Sequence, residues 1–234
     1  MKKNIIKNIK KHKNIYIIIL SIILILFISY YVIFHYLAYK RRQIKVNDRM
    51  KILTEIYTTF VDIAEKQNVK PFLLFGTLLG QQRNNKIICY DYDVDVGILS
   101  TDYYKLQAAL KQKLDKNKYT LLVFDNCLIA KTMHIIDNKT FLNLDIDVYE
   151  EQPNGSFKKK INYLFHFLNT YVLKQCKKLY IPRDWLLPLK QVSFLGKKVY
   201  VPNNPKAFLE CDYGKNYLTP NHKCNKSCTN CVKI

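Results

Sequence analysis

The apolar positions of the chain divide it into an N-terminal hydrophobic segment and a longer region of mixed periodicity. Residues 15–39 are nearly all apolar or aromatic, with only three polar interruptions. A run of this length spans a bilayer as a helix, and it lacks the short apolar core and small-residue cleavage site of a signal peptide. We therefore predict an uncleaved single-pass membrane anchor at 15–39, between a basic tail at 1–14 and a polar linker at 40–47.

The region after the anchor alternates between helical and strand patterns. From Asp48 to about Gln67 the apolar residues recur at three- and four-residue steps, which indicates an amphipathic helix. Pro71 prevents the helix from continuing, and Phe72–Phe75 is long enough for a buried strand. The alternation predicts an α/β (α+β) domain at 48–220, with a mixed sheet and flanking helices. Further helices are expected at 100–116, 161–178 and 204–211, and further strands at 91–98, 119–124, 128–136 and 141–149.

Three carboxylates stand at alternate positions in the first of these later strands. Asp91, Asp93 and Asp95 alternate with apolar or aromatic residues, so a strand places them on one face. Like charges on one face raise each other's pKa and oppose folding, and a hard divalent cation relieves that repulsion. A solvated acidic edge strand is the alternative. An EF-hand loop fits less well, because Gly97 falls at loop position seven instead of six.

A second strand repeats this arrangement. In Phe141–Tyr149, the residues Asn143, Asp145 and Asp147 share one face, and apolar residues occupy the other. The alternative is a pair of surface acids on an edge strand. His134 on the preceding strand is interpreted as a structural residue. The lysines of 158–160 are interpreted as a solvated face, and contact with the donor's diphosphate or with a membrane surface is the alternative.

The order of these motifs resembles a known family. The segment Gly76-Thr-Leu-Leu-Gly80, then Arg83, then the alternating aspartates of 91–95 resembles the signature of the LicD and fukutin family. The closing part of the chain, from Leu187-Pro-Leu-Lys190 to Tyr213-Gly214, is also similar to that family. Together the matched segments cover about residues 50–220.

The resemblance implies an activity as well as a fold. Family members have a nucleotidyltransferase-like mixed sheet with flanking helices, here preceded by one transmembrane helix. They transfer a phospho-alcohol, such as ribitol phosphate or phosphocholine, from a CDP-activated donor to a glycan hydroxyl. The implied cofactor is Mg²⁺ or Mn²⁺, and the implied partners are a CDP-alcohol donor, a glycan acceptor and a membrane.

The resemblance also implies which carboxylates hold metal. One cation would be held by Asp93 and Asp95, with Asp91 as a further ligand. A second would lie toward Asp147, whose surroundings match the family pattern better than those of Asp145. Either Asp95 or Asp147 would act as the general base.

The donor phosphates would lie at the start of the helix that follows the first strand. Gly76 and Thr77 would offer N–H groups and a hydroxyl to the phosphates, since a helix N-terminus favours anions. Arg83 would pair with a phosphate or with a carboxylate of the triad. The sequence departs from the family at Cys89-Tyr90, where a Trp or Pro-Trp is common, and Tyr fills much of the same space.

Two other functions remain open on sequence alone. A glycosyltransferase would use Asp93 and Asp95 to hold the metal of a nucleotide sugar, but this leaves Gly76, Thr77 and the third aspartate unexplained. A non-catalytic, membrane-anchored glycan-binding module could keep the same fold. A measurement of divalent-ion binding would distinguish this module from the two enzymes, which both need a metal ion.

The charge of the chain is strongly basic but unevenly distributed. The formal net charge is +20, and twelve of the 38 basic residues lie in the first 51 positions. These residues flank the hydrophobic segment, six on each side. Since the sequence also lacks an RNA-binding motif, no nucleic-acid partner is predicted. Because the two flanks carry equal numbers of basic residues, the positive-inside rule does not decide the orientation of the segment in the membrane.

The cysteines bear on the compartment. The tail at 221–234 holds Cys224, Cys228 and Cys231 near His222, and Cys211 precedes it. Disulfides, zinc ligation and free thiols all remain open, and disulfides suit an oxidising lumen. Fukutin-like relatives are type II proteins of the ER or Golgi, whereas bacterial LicD relatives are cytoplasmic. We predict a type II protein with a lumenal catalytic domain. The remaining cysteines, Cys89, Cys127 and Cys176, are predicted to be core residues.

Overall fold

The computed structural model describes residues 2–126, 130–159 and 180–220. The chain forms two units, Met1–Gln43 and Ile44–Ile234. The first is one helix, α1 (Lys2–Gln43), of which Ile15–Gln43 is a candidate membrane span by length and composition.

The predicted linker at 40–47 is mostly helical. The helix α1 continues to Gln43, and the next helix begins at Val46. Lys40, Arg41 and Arg42 lie in the last turn of α1, where cations stabilise the helix dipole. Only two residues therefore separate the two helices.

The second unit has the predicted fold class, a mixed α/β arrangement with helices flanking one sheet. Nine strands of the described part form the sheet in the order β3-β4-β5-β2-β1-β9-β8, with β6 paired to β5 and β7 paired to β6. The β2–β5 and β1–β9 pairs are parallel, and the other pairs are antiparallel. The strands are β1 (Phe72–Leu73), β2 (Asp93–Leu99), β3 (Tyr119–Asn126), β4 (Ala130–Asp137), β5 (Asn143–Glu151), β6 (Phe157–Lys159), β7 (Tyr180–Ile181), β8 (Lys190–Phe194) and β9 (Lys197–Val201).

Helices connect the strands and cover the sheet. The amphipathic α2 packs against α4 and against β2 and β5, whereas α3 contacts β2 and α6. Pro205 begins α6 and the Asn204 side chain accepts a hydrogen bond from the Ala207 N–H, as expected of an N-cap. The helices of this unit are α2 (Val46–Lys66), α3 (Phe75–Asn84), α4 (Tyr103–Lys113), α5 (Arg183–Leu186) and α6 (Pro205–Tyr213), and a 3₁₀ turn covers Ser100–Asp102.

The strand β2 separates the apolar core from the carboxylates. Val94, Val96 and Ile98 are buried, whereas the intervening Asp93 and Asp95 keep partial access to solvent. Because alternate residues point to opposite faces, one strand serves both the core and the candidate site.

Two of the predicted elements differ from the observed ones. The strand predicted at 72–75 is short, because Phe75 has a positive φ of 42° and starts α3. The carboxylate strand begins at Asp93, so Asp91 lies in the preceding turn, where its N–H donates to the Ile88 carbonyl at 2.9 Å. The helix predicted at 161–178 lies outside the described residues.

Candidate metal centre

The centre is formed where β2 and β5 run parallel and in register. Asp93 pairs with Asn143, and Asp95 pairs with Asp145. Paired residues of neighbouring strands project from the same face of the sheet. One carboxylate oxygen from each of Asp93, Asp95 and Asp145 therefore lies within 4.8 Å of the others.

This cluster carries more negative charge than its surroundings neutralise. Burial raises the pKa of Asp95 well above its usual range, and the charges of Asp93, Asp145 and Asp147 raise it further, although Lys159 lowers it. The Oδ1 atom of Asn143 is buried without a hydrogen-bond partner in the described part of the chain. Converging carboxylates and a carbonyl oxygen are ligands that hard divalent cations prefer, so these residues fit such a cation.

Asp147 lies one step further along the same face of β5. Its carboxylate forms an ion pair with the ammonium group of Lys159 on β6. The sequence analysis placed Asp147 ahead of Asp145 as a metal ligand. The structure places Asp145 in the three-carboxylate group and Asp147 beside the ammonium group of Lys159.

Asp91 is positioned by the start of α3. A Cβ atom on Gly76 would lie 2.8 Å from Asp91 Oδ2, so a side chain at this position would displace the carboxylate from the backbone. Burial and the charge of Asp93 raise the pKa of Asp91 to about 7, and Arg49 and Arg83 oppose that increase. Asp91 therefore lies next to the N-terminus of α3 and not on the strand β2.

Thr77 contacts the strand backbone. Its side chain is 1% exposed, and its Oγ1 accepts a hydrogen bond from the Asp95 N–H at 2.8 Å. The hydroxyl thereby fixes the backbone position of Asp95, and its predicted contact with a phosphate stays a prediction.

Substituting Thr77 separates these two roles. Thr77→Val leaves the buried Asp95 N–H without its acceptor, which costs about 1–3 kcal/mol. For a protein of this size we expect the melting temperature to fall by about 2–4 °C per kcal/mol. Thr77→Ser keeps the hydroxyl and should melt close to wild type. An unchanged melting temperature in Thr77→Val, together with a raised KM for a nucleotide donor, would instead support phosphate binding.

Arg83 forms hydrogen bonds with the segment that follows α6. Its Nε donates to the Tyr217 carbonyl at 3.0 Å, and its Nη2 donates to the carbonyls of Tyr217 and Thr219. These bonds take the place of the predicted pairing with a triad carboxylate, although the guanidinium charge still lowers the pKa of Asp91. The predicted contact with a phosphate stays a prediction.

The end of α6 adds residues that sequence reasoning missed. Burial raises the pKa of Asp212 to about 6, with Lys159 lowering it and Asp147 raising it. Burial and then Asp95, Asp212, Asp91 and Asp93 raise the pKa of Tyr213, so this tyrosine also lies near the centre. The family-like Tyr213-Gly214 pair was the available signal in the sequence.

Two further side chains lie beside carboxylates of β5. Lys159 pairs with Asp147, so it is not the solvated lysine that the run 158–160 suggested. His134 lies beside Asp145, with Nδ1 2.7 Å from Oδ1. Burial lowers the pKa of His134, but its hydrogen bond to Asp145 and the charges of Asp145 and Asp147 raise it overall.

The cysteine predictions have mixed outcomes. Cys89 and Cys211 are each disulfide-bonded, so the prediction that Cys89 is a simple core cysteine is wrong. The participation of Cys211 in a disulfide agrees with the sequence analysis. Cys127, Cys176 and the tail cysteines of 221–234 lie outside the described residues.

Comparison with known proteins finds a family match and several distant relatives. A family described as LicD/FKTN/FKRP, nucleotidyltransferase domain, matches residues 68–204. The uncharacterized protein RT0683 of Rickettsia typhi is 26% identical over 224 residues, which cover 88% of this chain and 62% of that protein. The ribitol 5-phosphate transferase FKRP of Homo sapiens is 25% identical over 169 residues, covering 70% of this chain and 32% of the human protein.

The chain thus spans less than two thirds of the length of either relative. A solved structure of the lincosamide antibiotic adenylyltransferase LnuA overlaps 74% of this chain and 89% of its own, at 14% identity and a TM-score of 0.39.

Proposed function

The chain belongs to the LicD/FKTN/FKRP family of nucleotidyltransferase domains, and from this we propose that it transfers a phospho-alcohol from a CDP-activated donor to a glycan hydroxyl. The observation that carries the proposal is the convergence of Asp93, Asp95 and Asp145 on one sheet face. The α3 N-terminus begins beside this face, where Gly76 meets Asp91. In this proposal the anionic diphosphate of the donor binds at this helix N-terminus, next to the carboxylates that hold the cation.

The reaction exchanges the phosphoanhydride bond of the donor for a phosphoester bond to the acceptor. The acceptor oxygen forms a bond to the phosphorus that carries the alcohol, and the bond from that phosphorus to the bridging oxygen breaks, so CMP leaves. The hydroxyl proton passes to a carboxylate of the same face, Asp95 or Asp147. When bound, Mg²⁺ or Mn²⁺ neutralises the diphosphate charge and favours in-line attack.

The residues of the chain have separate tasks in this proposal. Asp93, Asp95 and Asp145 hold the cation. Backbone N–H groups at Gly76 donate hydrogen bonds to the donor phosphates, because a helix N-terminus binds anions. The hydrogen bond from the Asp95 N–H to Thr77 keeps the strand in place while the substrates bind.

The proposal is tested by measuring nucleotide release. Full-length protein in detergent is incubated with CDP-ribitol, CDP-choline, CDP-glycerol or UDP-sugars, with Mn²⁺ or Mg²⁺ and with candidate glycans. We expect CMP release from one CDP-alcohol, loss of release with EDTA, and recovery on adding back the cation. Release of UDP instead would identify a glycosyltransferase. Glycan binding with no release from any donor would indicate the non-catalytic module.

We also propose that the candidate span anchors the protein as a type II membrane protein with the catalytic domain in the lumen of the ER or Golgi. The disulfides at Cys89 and Cys211 support an oxidising compartment. We expect the protein to resist carbonate extraction and a C-terminal tag to be protected from protease in intact microsomes. Digestion of the tag without detergent would establish the opposite orientation.

A further inference from the structure

We propose that His134 is a positioning residue for the metal centre, holding Asp145 so that one of its oxygens stays available to the cation. The inference rests on the cation site of the proposed function. It concerns a residue that lies outside the family-like motifs of the sequence and whose side chain is hydrogen-bonded to Asp145.

The hydrogen bond between the two side chains defines the histidine tautomer. His134 on β4 stands opposite Asp145 on β5, and Nδ1 lies 2.7 Å from Oδ1. An ionised carboxylate only accepts hydrogen bonds, so Nδ1 must carry the proton. The two side chains are 27% and 28% exposed, so water does not fully screen their interaction.

A second donor acts on the same oxygen. Nδ2 of Asn143 also donates to Asp145 Oδ1, and Asn143 is only 8% exposed. Among the described residues, both of these donors contact Oδ1, which leaves the lone pairs of Oδ2 available to a cation. Asp145 is therefore presented as a ligand through one oxygen, with its rotation restrained from two directions.

The imidazole is itself held in place. The ring of Phe124 on β3 meets the His134 ring edge to face, with centroids 5.6 Å apart and planes at 81°. Beyond Asp145, the charges that act on His134 are those of Asp147 and Lys159. Partners that orient a ligating side chain typically change metal affinity by about 10–100-fold when removed.

The test measures Mn²⁺ binding to the full-length protein, with Mn²⁺ alone as the probe and electron paramagnetic resonance as the readout of free ion. We expect His134→Ala to raise the Mn²⁺ Kd by about 10–100-fold. His134→Asn places an amide donor near the position of Nδ1 and should recover most of the affinity. Lys131→Ala, on the same strand but beside Tyr103 and Tyr104, should bind like wild type.

A double substitution separates positioning from general damage. In an Asp145→Ala background, His134→Ala should cause no further loss of affinity, because the group that it positions is gone. Equal losses in both backgrounds, or wild-type affinity in His134→Ala, would overturn the inference while leaving the metal centre intact. A wild-type protein that does not bind Mn²⁺ would overturn both the inference and the metal dependence of the proposed function.

Discussion

Asp95→Asn should lower nucleotide release by about a thousandfold, which corresponds to about 4 kcal/mol of transition-state stabilisation. The substitution keeps the side-chain volume but removes a charge at the middle of the cluster, where Asp93, Asp145 and Asp147 all act on it. A neutral amide is a poor substitute for a carboxylate that must neutralise a divalent cation. The rate is measured with the CDP-alcohol that wild type uses, at saturating Mn²⁺.

The thermal stability of the metal-free protein provides the control. Burial and like charges destabilise ionised Asp95 in the folded chain. Removing its charge should therefore leave the melting temperature of the metal-free variant no lower than that of metal-free wild type. Near-wild-type turnover in Asp95→Asn would reject the proposed mechanism. Lost activity with a retained melting temperature would support it.

Local patterns in the sequence were sufficient to predict much of this site. The alternation of Asp93 and Asp95 with buried valines established both the strand and its two faces, because period two is a property of the strand itself. The amphipathic helix α2 followed equally from its repeat of apolar residues. Asp91 continued the alternation, yet it lies before the strand because the backbone turns at Ile88–Asp91.

Contacts between distant segments could not be predicted in the same way. The hydrogen bond from the Asp95 N–H to Thr77 crosses 18 positions, and Arg83 reaches a carbonyl 134 positions away. Such contacts depend on the pairing of strands and helices, which no local period encodes. The choice between Asp145 and Asp147 was open for the same reason. Both side chains share one face of β5, and the register of β5 with β2 distinguishes their surroundings.

That register makes the two β5 carboxylates unequal. Asp145 stands opposite Asp95, whereas Asp147 stands opposite Gly97, which has no side chain to contribute to a cluster. Asp147 is also ion-paired with Lys159, whereas His134 and Asn143 donate to one oxygen of Asp145 and leave the other available. We therefore propose Asp145 as the third ligand, ahead of Asp147, which the family pattern suggested.

We expect Asp145→Asn to reduce nucleotide release by about a thousandfold, equal to the Asp95 variant, because each removes one of three charges that face the cation. With Asp95 as the group that takes the acceptor proton, Asp147→Asn should retain a larger share of the activity, since it removes the partner of Lys159 instead of a ligand. Mn²⁺ titrations on the two matched variants should show weaker binding in Asp145→Asn than in Asp147→Asn. If Asp147→Asn is the more damaging substitution in both assays, the family pattern identified the ligand correctly and Asp145 serves only to support the strand.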